Sequence, residues 1–187
     1  MEVKFPTIEG SYGGNQAWFS KSLWAAGGCG VIASANLYSY FSDRQNMSKD
    51  EYMQVATALY YWLSPLHFYN PSTTENTYGM ISFTHWYRRT LEFLDLRGVH
   101  LQGRRKLFMR KRALVEIRKA LHRGELPVLA VLGVPGVSPY GNHYMVVSGI
   151  KGDVLIFSTW GQRREVKFSE LCLPGLFFHL AAFKRKN

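Results

Sequence analysis

Apolar positions along the chain follow two regimes. Up to about residue 125 they recur at helical spacing; beyond it they come in short runs of Val, Leu, Ile and Phe separated by turn residues. From Gly30 to Phe41 no breaker follows the first residue, and apolar or small side chains fall on nearly every side, which predicts a helix surrounded by other elements. Ser48-Lys-Asp-Glu51 is a capping box, in which hydroxyl and carboxylate each satisfy a backbone amide of the first turn. Tyr52, Val55, Ala56, Leu59 and Leu63 follow at helical spacing, and Pro65 stops the run. Asn70–Thr77 reads as a polar loop. A third helix is predicted from about Ser82 to Arg97, with Phe83, Trp86, Tyr87, Leu91 and Leu94 on one face and Gly98 as its stop. A fourth covers Lys111–Arg123, with Leu114, Ile117 and Leu121 inward and Gly124 ending it.

Strands are predicted at Pro127–Val134, His143–Ile150, Val154–Thr159, Glu165–Phe168 and Phe177–Phe183. Helices first and strands afterwards, without βαβ alternation, argue for an α+β architecture with an antiparallel sheet. The expectation is one domain, helical over about 1–125 and sheet over about 126–187.

Composition narrows the class. The 187 residues are 47% hydrophobic and 15% aromatic, enough to bury a sizeable core, which excludes a disordered or fibrous chain. The longest apolar runs fall far short of the roughly 20 residues of a membrane span, so no transmembrane segment is expected. Met1–Ser11 holds Glu2, Lys4 and Glu9 and no apolar stretch, so no secretory signal is read there. Two cysteines, Cys29 and Cys172, make no disulfide framework, and a reduced cytoplasmic setting is expected.

The net charge of +10 is unevenly placed: ten basic residues lie between Arg97 and Arg123, with Glu116 among them. Such a run is either a solvated helix face or a surface for an anionic partner.

Candidate chemistry begins at Gly27-Gly28-Cys29-Gly30, where the predicted central helix starts. A helix N-terminus offers unpaired amides and partial positive charge, which stabilise a thiolate, and glycines let other groups approach. His143 opens a predicted strand and can present its imidazole to that helix end across a cleft, as base for the thiol. At the end of the next strand, Ser158-Thr159-Trp160-Gly161 lies at the same end of the sheet, where a polar group can orient the imidazole. Gln16 supplies a neutral amide donor suited to an oxyanion, with the Cys29 backbone amide as the second donor.

Taken in that order, these parts resemble the papain-like cysteine peptidase superfamily. They look most like its bacterial branch of bacteriocin-processing (double-glycine leader) peptidase-like proteins. Glu116–Val131, a helix running into Gly-Glu-Leu-Pro-Val before a strand, also looks like that branch. The resemblance implies a papain-like fold with the cysteine at the N-terminus of the central helix, and cleavage of a peptide or protein substrate. It makes Cys29 the nucleophile, His143 the base and Gln16 the oxyanion donor. Ser158 falls where the family has Asn or Asp, and Gly28, Asn142 and Trp160 flank the matched positions as candidate substrate contacts. Two departures stand out. Serine brings no carboxylate charge, and Gln16 stands thirteen positions before Cys29, farther than in papain-like enzymes. No cofactor or metal is expected: the cysteines lack CxxC spacing, and neither HExxH nor a Gly-rich phosphate loop occurs.

Two other functions fit the sequence. One is a relative of the same fold that binds a peptide without cutting it, motivated by Ser158. The other is a basic protein that binds nucleic acid or an anionic surface through the Arg97–Arg123 stretch.

Overall fold

The computed structural model describes residues 1–69, 76–133 and 138–186. In chain order its elements are β1 (Thr7–Ile8), β2 (Ser11–Tyr12), a 3-10 turn (Gln16–Trp18), α1 (Ser22–Gly27), α2 (Cys29–Phe41), β3 (Asn46–Met47), α3 (Lys49–Leu63), β4 (Leu66–Tyr69), β5 (Asn76–Met80) and α4 (Phe83–Leu96). Then follow β6 (Leu101–Met109), α5 (Arg112–His122), β7 (Leu126–Leu132), β8 (His143–Lys151), β9 (Val154–Thr159), β10 (Gln162–Lys167), α6 (Phe168–Leu171) and β11 (Phe177–Arg185). The stretch expected as a loop at Asn70–Thr77 lies outside the described residues up to Asn76, where β5 begins.

The architecture is α+β. Six strands form one antiparallel sheet in the order β10-β9-β8-β7-β11-β6. Helix α2 is buried along nearly its whole length, as its unbroken apolar and small residues require. The capping box at Ser48 forms: Ser48 Oγ accepts from the Glu51 amide, and Glu51 reaches back to the Ser48 amide.

Helices cover the sheet on both faces. On one, Leu126, Val128, Ala130, Val146, Ala181 and Phe183 pack with α2, α3 and α4. On the other, Leu129, Val131, Met145, Val147, Phe157 and Phe178 pack against Ala113, Ile117 and Leu121 of α5 and Phe168 and Leu171 of α6. Both alternating sets along β8 are therefore buried.

The expected boundary near residue 125 needs correction. β6, inside the stretch read as helical, pairs with β11 and forms an edge of the sheet. The basic run is thereby divided between a strand and a helix. Glu116 on α5 draws Lys106 (2.8 Å), Lys119 (3.6 Å) and Arg104 (3.9 Å), and Glu125 binds Arg104 (2.7 Å) and Arg123 (3.1 Å). Two carboxylates thus engage four of the ten cations, and the run is split between β6 and α5. Among the described residues no helix is long and apolar enough to cross a membrane.

Candidate active site

α1 ends at Gly27, and Gly28 serves both as its last cap and as the entry to α2, whose first bond runs from the Ile32 amide to the Gly28 carbonyl (2.9 Å). Cys29 therefore stands at the first helical position, where amides lack intrahelical acceptors. The backbone amides of Tyr144, Gly30 and Cys29 itself favour its thiolate. Tyr144 follows His143 on β8, so the sulfur meets the start of that strand.

Cys29, Gln16, His143, Ser158, Thr159 and Trp160 line one narrow slot. Ile32, Ala33 and Asn36 complete its α2 wall; with Cys29 they stand at i, i+3, i+4 and i+7, one face of the helix. Its free volume of about 10 Å³ is at the limit of what one water needs.

His143 is buried, although its place at the strand start suggested an exposed edge. Its Nε2 lies 2.6 Å from Thr159 Oγ1, and its ring stacks on Trp160 with centroids 4.8 Å apart. Tyr140 also stacks on Trp160, with centroids 5.6 Å apart. With Nε2 engaged, Nδ1 is the ring nitrogen left for a second partner.

The hydroxyl on the imidazole is Thr159, not Ser158, which corrects the expected partner. Successive residues of β9 point to opposite faces. Ser158 turns toward α2, where its Oγ donates to the Tyr12 carbonyl (2.7 Å) and accepts from Asn36 Nδ2 (3.3 Å). Asn36 Oδ1 accepts from the Gly14 amide and the Tyr52 hydroxyl, both at 2.9 Å.

Gln16 reaches the slot from the 3-10 turn, and its Nε2 donates to the Ala25 carbonyl at 2.8 Å. The thirteen-position step to Cys29 is taken up by α1, folded between them. Two candidates stay outside the slot. Gly28 sits behind it against Phe19 and the Trp24 carbonyl, and Asn142 Oδ1 accepts from the Gly133 amide at 3.3 Å.

Two contributors were missed in the sequence, Asn36 and the Tyr144 amide, while Thr159 was read as part of the polar turn but passed over for Ser158. Asn36 did leave a signal, as the one carboxamide, two turns from Cys29, on a helix of otherwise apolar, small or tyrosine residues. Backbone amides leave none.

Burial sets the charge state. It pushes the Cys29 thiol up, and the three amides pull it only part of the way back. Burial also pushes His143 down to about 4. The resting pair is neutral thiol and neutral imidazole. An imidazole that titrates near 6.5 when unfolded and about 4 when folded leaves stability intact at neutral pH and erodes it as pH falls through that window. The expected loss is about 3 kcal/mol from this residue. Urea denaturation of the wild type and His143→Gln between these pH values checks it, since the variant lacks this part of the slope.

Comparison with protein-family models, with curated proteins and with solved structures gave no match.

Proposed function

We propose that the protein is a thiol hydrolase of papain-like architecture that opens a peptide or amide bond. The observation that supports this reading is the convergence of Cys29, His143 and Gln16 on one slot, with Thr159 on the imidazole Nε2. Cys29 attacks the carbonyl carbon while His143 Nδ1 takes the thiol proton. Nε2–H then donates to Thr159 Oγ1, which leaves Nδ1 as the basic nitrogen. The carbonyl oxygen, now negative, accepts from the Cys29 amide and from the Gln16 amide hydrogen not given to Ala25. The imidazolium protonates the leaving amine, and water releases the acyl group from sulfur by the same proton path.

The neutral resting pair and the uncharged Thr159 favour a second reading, in which the cleft holds a peptide without cutting it. Digestion of a broad peptide library, followed by mass spectrometry, separates the two. Hydrolysis predicts new termini with the wild type and none with Cys29→Ala. An uncut library would sink the hydrolase.

A further inference from the structure

At one corner of the sheet, strain and charge coincide. Met109 pairs with Phe178 and Lys106 with Leu180, so Leu107 and Phe108 bulge opposite His179. Phe108 holds φ 51, a left-handed conformation strained for an aromatic residue, and its amide is fastened to His179 Nδ1 at 3.0 Å. The strain gains no burial, because Phe108 is 70% exposed and Leu107 42%. Phe177, at the start of neighbouring β11, is 43% exposed. A small polar residue would relax this turn, yet the corner presents three apolar side chains to solvent.

Three exposed cations follow directly: Arg110, Lys111 and Arg112. The Arg110 guanidinium lies 5.8 Å from the centre of the Phe177 ring. Among the described residues no carboxylate lies within ion-pair distance of these three, whereas Arg104, Lys106, Lys119 and Arg123 are all paired.

We infer that this corner docks on an anionic lipid surface. Leu107, Phe108 and Phe177 enter the interfacial apolar layer, and Arg110, Lys111 and Arg112 meet the lipid phosphates. Protruding side chains suit a yielding surface, while a folded protein would have to supply a pocket for each. A nucleic acid would use the cations and leave Leu107 idle. The corner is at the same end of the sheet as His143 and Thr159. Three strand spacings separate β6 from β8, about 14 Å, so docking holds the slot close to the headgroups. The inference stands independently of the thiol chemistry.

Co-sedimentation of the full chain with phosphatidylcholine vesicles, with and without phosphatidylserine, tests it. Binding is expected only with phosphatidylserine, weakening as salt is raised. Leu107→Ser with Phe108→Ser should lower it by about tenfold or more while retention on heparin is unchanged. Arg110→Glu with Lys111→Glu should lower both. Phe108→Gly relaxes the left-handed turn, so it should fold at least as well and still lose vesicle binding. No binding to phosphatidylserine vesicles overturns the inference, as does binding that the Leu107 and Phe108 variants leave unchanged.

Discussion

Replacing His143 by alanine is expected to lower kcat/KM for amide hydrolysis by about 10²–10⁴-fold, the usual worth of a positioned base. The effect should fall on kcat more than on KM, because the imidazole acts on a proton that moves in the transition state. The pH profile carries the sign. With the imidazole pushed down to about 4 and the thiol pushed up, the neutral pair persists from just above that value into the alkaline range. The wild-type kcat/KM should therefore hold a broad plateau, falling on the acid side where His143 takes a proton and on the alkaline side where the thiol loses its own. Thr159→Val removes the acceptor of Nε2–H and frees the ring to turn its proton toward sulfur, for an expected loss of about tenfold. Ser158→Ala should leave the rate nearly intact and weaken the fold instead, because its hydroxyl serves Tyr12 and Asn36. Equal rate losses in Thr159→Val and Ser158→Ala would overturn the assignment of Thr159.

That contrast marks where the sequence ran out. The end of β9 was legible as a polar turn beside the imidazole, but choosing between two adjacent hydroxyls needs the strand's facing. A one-sided sheet would have revealed it through alternation. Here helices cover both faces, so Leu155, Ile156 and Phe157 are all buried and the pattern carries no phase. α3, α4 and α5 were legible for the opposite reason: their periodicity runs over several turns and is bounded by caps, proline or glycines, while α2 was legible as a long run without a breaker. β6 was not, because an edge strand with long basic side chains buries little beyond Leu101 and shows no alternation. The two-residue strands β1, β2 and β3 are too short to carry any period.

Gly14→Ala is expected to be strongly destabilising although it touches none of the reacting groups. A Cβ at Gly14 would lie 2.2 Å from the Tyr52 hydroxyl and 2.3 Å from two of its ring carbons. Tyr52 is fully buried, so the ring cannot swing into solvent. The Tyr52 hydroxyl and the Gly14 amide both serve Asn36, and the Gly14 carbonyl accepts from the Gly161 amide in the turn that carries Trp160. One methyl group would therefore disturb the join between three segments: the loop bearing Gln16, the helix bearing Cys29 and the hairpin bearing Thr159. Overpacking and the lost hydrogen bonds together are expected to cost about 3 kcal/mol or more, read as a lower urea midpoint. Tyr52→Leu removes the obstructing ring at its own cost. In that background Gly14→Ala should cost markedly less, a coupling that a double-mutant cycle measures. If the two costs simply add, the close approach at Gly14 is not what the glycine is for. Below the melting transition, Gly14→Ala should also slow hydrolysis, since Gln16 and Trp160 are held at the slot through the residues that this methyl group displaces.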